Sequence, residues 1–332
     1  MVKAWAVLLP LLAWCSYPVR GIAQAQPDPT VFKIDGSFVS VPLVLETKTE
    51  IAPQEIAAEQ FRLWDNDTVQ KTVVLRTDDL PVSLVVLMQT GDDASQYFKN
   101  YRELPSLLNQ LLGGSTHEVT LVTFDSKIEQ IWHFPARSDG VKNALRYPSR
   151  GDEGAAIRDA VHFGVEQLQG EPGRFRRIVL LLSAKADKGS TCTPRALLEQ
   201  LGTASTVVYS VVFPSSKSKR ERSGDGEKSG SVCERCSALP DAIRALDTDT
   251  ATQVASMTGG SFLGFKDRQS FSAAMLEIGS QIHHGYTLGF SPDSPVPGLH
   301  LIRVEMKSAH SRSQVHARSL YWVRPENEES TP

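Results

Sequence analysis

Three short segments hold side chains that can do chemistry. Leu87-Met88-Gln89-Thr90-Gly91-Asp92-Asp93 ends one apolar run and Leu182-Ser183-Ala184-Lys185-Ala186-Asp187 ends another. Between them, Asp152-Glu153 stands just before a helical stretch opened by Gly154-Ala155-Ala156-Ile157. Carboxylates gathered from several loops are hard oxygen donors for Mg²⁺ or Ca²⁺, so Asp92, Asp152, Glu153 and Asp187 are candidate ligands. Catalysis has little support. Ser183 and Ser190 lack a recognisable His–acid partnership. As sequence neighbours, Asp152 and Glu153 would not flank a substrate. His117, His133 and His162 show no metal spacing, and His283-His284 reads as a helix end. No enzymatic activity is expected.

Stepping from these segments to the elements that hold them, Val82 to Met88 is almost continuously apolar, as a central strand covered on both faces should be. Helical periodicity is expected from Ala94 to Leu112, interrupted at Pro105. Val119 to Phe124 and Ile128 to Phe134 form a strand pair. Ala155 to Leu168 is an amphipathic helix with Ile157, Val161, Val165 and Leu168 on one face. Ile178 to Leu182 and Val207 to Phe213 are two further buried strands, with a helix from Arg195 to Leu201 between them. Alternation at this spacing predicts an α/β fold with a doubly wound, mainly parallel sheet. A helix from Thr248 to Met257 is stopped by Gly259-Gly260. A helix from Arg268 to His283 and a strand from Tyr286 to Phe290 are expected to close the α/β part. In such sheets ligands bind where strands end and loops begin, which is where the three segments fall.

The flanks are β-rich. Period-two alternation runs through Ser37 to Leu45, and Phe61 to Trp64 with Thr68 to Leu75 reads as a hairpin around Asp65-Asn66-Asp67. Two more strands, Leu301 to Lys307 and Val315 to Val323, lie near the C-terminus. Each set is too small to stand alone. The N- and C-terminal strands are expected to pair into one small β-sandwich, burying Val39, Val41 and Leu43 against Ile302, Val304 and Val315. The expected organisation is 30–78 for the N-terminal β region and 79–292 for the α/β domain. Residues 298–324 form the returning strands, and 325–332 an acidic, disordered tail. Pro214 to Gly230 is polar and charged, so 214–236 is expected to be a flexible loop.

The combination resembles a von Willebrand factor type A domain, and more narrowly the acidobacterial VWFA-related family. The motifs that carry it are Glu59-Gln60-Phe61, Ile157-Arg158-Asp159-Ala160, Met257-Thr258-Gly259-Gly260-Ser261-Phe262 and Tyr286-Thr287-Leu288-Gly289-Phe290, in that family's order and spacing over nearly the whole mature chain. The resemblance implies a metal-ion-dependent adhesion site at the top of the sheet. Against the family's D-x-S-x-S loop, however, the leading Asp is Gln89 and the first Ser is Gly91, while Asp93 takes the second Ser position. The Thr is replaced by Ala155 and the last Asp by Ala184. One carboxylate does not hold a small dication against its hydration shell. The loop ends Gln89, Gly91, Asp93, Ala155 and Ala184 are therefore expected to bind, if anything, a ligand without Mg or Ca. No cofactor is expected.

Compartment and charge complete the reading. Lys3, the apolar Ala4 to Trp14 and Ala23-Gln24-Ala25 read as a secretory signal peptide over 1–25, too short to span a bilayer at roughly 20 residues. Cys15 follows Leu12-Ala13 as in a lipobox, but Trp14 stands where a small residue is required. The whole chain carries 35 basic and 38 acidic residues, net -3; cleavage removes Lys3 and Arg20 and leaves -5. That balance speaks against nucleic acid, which needs a basic face. The expected location is secreted or periplasmic, with a protein or envelope ligand and no membrane span. Cys192, Cys233 and Cys236 would then lie in an oxidising space. Cys233-Glu-Arg-Cys236 lacks a second zinc half-site, so a structural disulfide is favoured with its partners open. The function expected is an exported, non-catalytic interaction or adhesion module. The alternative is a redox-responsive structural protein in which the three cysteines exchange partners.

Overall fold

The computed structural model describes residues 38–46, 57–75, 80–112, 119–134, 142, 145, 148–170, 175–214, 239–293, 295–307 and 314–325. The signal peptide, the loop expected over 214–236 beyond Pro214, Cys233, Cys236 and the tail after Pro325 lie outside the described residues.

The elements are β1 (Val39–Glu46), β2 (Phe61–Asp65), β3 (Thr68–Gln70), β4 (Val73–Leu75), β5 (Val82–Gln89), α1 (Leu104–Leu112), β6 (Val119–Phe124), β7 (Ile128–Phe134) and α2 (Ile157–Gln169). There follow β8 (Arg176–Ser183), α3 (Pro194–Thr203), β9 (Thr206–Val212), α4 (Leu239–Thr248), α5 (Thr250–Thr258), β10 (Phe262–Gly264) and α6 (Arg268–His284). The chain ends in β11 (Tyr286–Phe290), β12 (Gly298–Met306), β13 (Gln314–Ala317) and β14 (Leu320–Val323).

The central sheet has the order β10-β9-β8-β5-β6-β7, parallel except for the antiparallel β6–β7 pair. Every residue of β5 is buried, as its unbroken apolar run requires. Its two faces feed separate cores. Leu84, Val86 and Met88 pack with α1 and α6 residues such as Leu108 and Ile278, whereas Val85 and Leu87 pack with Ile157, Val161, Leu198 and Val254. Helices on both faces make the sheet doubly wound, as the alternation in the sequence implies. The helix expected over 94–112 begins as 3-10 turns at Asp92–Tyr97 and Asn100–Glu103 and becomes α only at Leu104. Pro105 sits in the first α turn, where a missing N–H costs nothing.

Two four-stranded antiparallel sheets, β13-β1-β11-β4 and β14-β12-β2-β3, form the β-sandwich. Its core contains Val41, Leu43, Phe61, Leu63, Leu288, Phe290, Ile302 and Tyr321, with Val39, Val304 and Val315 packed against it. The N- and C-terminal strands thus bury one another. Asn66 and Asp67, both at positive φ (43° and 69°), make the tight β2–β3 turn.

The sequence reading needs correction at several points. Tyr286–Phe290 does not close the parallel sheet: β11 pairs antiparallel with β1 and β4 inside the sandwich, and the short β10 is the edge of the parallel sheet. The stretches 68–75 and 315–323 are not single strands. Each breaks after a few residues, and its second half crosses to the other sheet. Strand propensity alone does not reveal such a corner, because both halves remain extended chain that fits either sheet. Helix α4 was also unexpected. At the end of α5, Gly259 takes φ 86°, a left-handed cap, and a Cβ there would meet the Pro42 carbonyl oxygen at 2.5 Å. Only glycine lets the helix end lie against β1.

Candidate functional site

The strand order reverses between β5 and β8, so the crevice of the fold lies beyond Gln89 and Ser183. Gln89 is fully buried there. Its Nε2 donates to the Gly91 carbonyl at 3.1 Å and its Oε1 accepts from the Ala184 N–H at 2.9 Å. An amide satisfies both because it is donor and acceptor at once; a carboxylate is not. Gln89 therefore ties the end of β5 to the end of β8 without help.

Gly91 shows why the second loop lies so close. A Cβ on it would stand 2.2 Å from the Gly154 carbonyl oxygen and 2.9 Å from that of Asp152. The loops are joined backbone to backbone, with Asp92 N–H donating to the Asp152 carbonyl (2.8 Å) and Gly151 N–H to the Thr90 carbonyl (3.1 Å). The third loop is stitched to the second by a two-bond bridge: Ala155 N–H to Lys188 O (2.9 Å) and Lys188 N–H to Ala155 O (2.8 Å). Ala155 and Ala184 are buried and contribute no side-chain oxygen.

The carboxylates of Asp93, Asp152, Asp159 and Asp187 are engaged with protein donors. Asp152 accepts from Ser126 N–H (3.1 Å), Gly154 N–H (2.7 Å) and the Ser126 hydroxyl, and these bonds hold its carboxyl below the usual range. Asp187 accepts from Arg158 N–H (2.9 Å) and the Ser190 hydroxyl (2.5 Å), with the Arg158 guanidinium 3.3 Å away. Arg158 also reaches Asp247 at 2.8 Å. Asp93 accepts from Gln96 at 3.0 Å. Asp159 accepts from Thr191 N–H and Cys192 N–H at 2.9 and 2.6 Å, fastening the 187–193 loop to α2. Asp92 and Glu153 lie beside Lys188, whose ammonium donates to the Glu153 carbonyl and stands 4.0 Å from the Asp92 carboxylate.

A small dication does not fit this donor set. Gly91, Ala155 and Ala184 offer no side-chain oxygen, the Gln89 amide is turned to other partners, and the Gly91 side of the crevice is filled by the second loop. The four carboxylates proposed for a substitute site are not brought to one point either. Among the described residues no group of three or more His, Cys, Asp or Glu side chains is placed to hold a metal ion.

Sequence reading missed three residues here: Asp125, Ser126 and Glu129, all from the β6–β7 hairpin. Asp125 is buried and its carboxylate accepts from Lys127 N–H and Asp152 N–H, both at 3.1 Å. Glu129 accepts from the Thr90 hydroxyl at 2.6 Å. Partial burial of its carboxyl, with Asp125 and Asp152 beside it, raises the Glu129 pKa despite the Thr90 bond. A carboxyl raised in the folded state contributes stability that is complete below its unfolded pKa and is lost as pH rises through the folded one. Glu129→Gln should therefore show a smaller gain in Tm than wild type between pH 7 and pH 5. Equal pH profiles in calorimetry would refute this.

Cys192 is half-buried and, among the described residues, a free thiol. Burial, with Asp159 adding to it, raises its pKa and disfavours the reactive thiolate. His283 and His284 end α6 in its last turn, exposed. No described helix is long and apolar enough to cross a membrane.

A 3-2-1-4-5-6-type strand order, helices on both faces and loop ends gathered at the switch point define a von Willebrand A-like α/β domain, here carrying a β-sandwich. No protein-family model matches the chain, and no curated protein matches it either. Among solved structures, von Willebrand factor type A from Catenulispora acidiphila is 9% identical over 91% of this chain and 78% of that one, with a TM-score of 0.45. BatB from Bacteroides thetaiotaomicron is 12% identical over 60% of this chain and 98% of that one, at 0.40. The pilus adhesin SpaC from Lactobacillus rhamnosus GG is 9% identical over 86% and 48%, at 0.41. Similarities this distant carry no ligand across to this chain.

Proposed function

We propose that this chain is an exported, non-catalytic protein-interaction or adhesion module that meets its partner at the loop ends above the crevice, with no Mg²⁺ or Ca²⁺ in the contact. Gln89, Gly91, Ala155 and Ala184 form the buried floor, and Asp93, Glu153 and Lys185 stand above it for a partner to touch. The observation that carries the reading is the Gln89 side chain, spent on Gly91 and Ala184 where the family places an open carboxylate. The cysteine-exchange alternative gains nothing from Cys192, whose pKa burial raises, disfavouring the reactive thiolate.

Calorimetric titration of the purified protein with MgCl₂, CaCl₂ and MnCl₂ should give no binding tighter than about 1 mM, the weak end of protein Ca²⁺ sites. Immobilised protein should retain the same partner from native envelope extract with or without EDTA. Release by EDTA, or no retention in either buffer, would overturn the reading. The export component is tested by sequencing the N-terminus of natively secreted protein, expected to start just after Ala25.

A further inference from the structure

Three loops converge on one ammonium. Lys188 comes from the loop after β8 and is fixed by its two backbone bonds to Ala155. Its side chain crosses to the second loop, donating to the Glu153 carbonyl, and lies 4.0 Å from the Asp92 carboxylate of the first loop. Asp92 holds a left-handed backbone, φ 50°, which is unusual for a residue with a Cβ and is kept there by the bond from its N–H to the Asp152 carbonyl. A carboxylate and a main-chain carbonyl from separate loops, turned to one point, make an environment for a cation. Lysine supplies that cation from within the chain, as an ammonium with three donors.

We infer that Lys188 is a positioning residue that takes the place of a bridging dication: its ammonium holds the loops of Asp92 and Glu153 in register with its own. This rests on the metal-free reading above and deepens it. The loop ends would then keep one arrangement whatever the supply of divalent ions, and chelation would not open them. The side chains of Lys188 and Asp92 are 43% and 30% exposed, so the bridge acts on local opening rather than on the core.

The test compares wild type, Lys188→Met and Lys188→Arg as the full mature chain, by amide hydrogen exchange. Met keeps the apolar stem and removes the charge; Arg keeps both. In Lys188→Met the amides of Asp92, Gly154 and Ala155 should exchange about tenfold faster, the consequence of losing one partly exposed charge-assisted bond, while amides of β5 stay unchanged. Lys188→Arg should recover most of the protection. Unchanged exchange in the Met variant, or an Arg variant no better protected than Met, would overturn the assignment. The two failures are separable, because tight Mg²⁺ binding by wild type in the calorimeter defeats the metal-free reading, whereas the exchange comparison alone decides the role of Lys188.

Discussion

Arg318→Ala should lower the unfolding free energy by about 3–5 kcal/mol, measured by urea denaturation, because it orphans several buried carbonyls at once. Arg318 is buried, and among the described residues its guanidinium has no acidic partner. Its guanidinium donates to the carbonyls of Leu320 (2.7 Å), Ser40 (3.2 Å), Leu201 (3.1 Å) and Gly202 (2.6 Å). Burial draws its pKa down to about 10, so the group is charged at neutral pH and bears a desolvation cost. That cost is offset only because the planar fork reaches four carbonyls at the corner where β13 ends and β14 begins. Two of them belong to the last turn of α3, which has no further helical donor to satisfy them. The residue thus joins both sheets of the sandwich to the α/β domain. Arg318→Lys, with three donors and no fork, should lose an intermediate amount. A loss below about 1 kcal/mol for the Ala variant would show that water takes over the carbonyls, and would remove Arg318 from this role.

Arg318 also marks the boundary of what was legible in the sequence. The doubly wound sheet was readable because β5, β8 and β9 are apolar runs too continuous for anything but a strand buried on both faces. The mutual burial of the N- and C-terminal strands followed from counting apolar faces with nothing to cover them. Neither argument could find the corner at Arg318-Ser319. A buried arginine that bonds main-chain oxygens gives no residue type in the sequence to pair it with. The assignment of Tyr286–Phe290 failed for a related reason: a five-residue apolar strand after a helix fits the end of a parallel sheet and the middle of an antiparallel one equally well. At the loop ends, the lack of a side-chain oxygen at Gly91, Ala155 and Ala184 was visible in the residue types. The contacts that join these ends were not, because Gln89 reaching Ala184 and Lys188 reaching Glu153 are contacts across 95 and 35 residues of chain.

Gly91→Ser, which supplies the hydroxyl that the resemblance to von Willebrand A domains would place here, should destabilise the protein by about 3 kcal/mol and give no Mg²⁺ binding. The backbone at Gly91 is ordinary (φ -80°), so no conformational strain is involved. The obstacle is space. The added Cβ would fall 2.2 Å from the Gly154 carbonyl oxygen, with Asp125 Cβ and the Asp152 carbonyl oxygen both at 2.9 Å. Two of these three atoms are backbone and cannot rotate away, so the second loop must retreat and give up the bond from Asp92 N–H to Asp152 O. Adding Gln89→Asp makes matters worse. The shorter carboxylate has no proton for the Gly91 carbonyl, and a fully buried charge would be left with little beyond the Ala184 N–H. Both variants should unfold at lower urea than wild type, and the double variant should remain silent in an Mg²⁺ titration. A double variant that binds Mg²⁺ while retaining wild-type stability would mean that the second loop withdraws readily from Gly91. The collapse of the loops onto one another would then be one state of an open site. If the expected result holds, Gln89 and Gly91 are coupled through packing, and neither changes alone without breaking the contact the other makes possible.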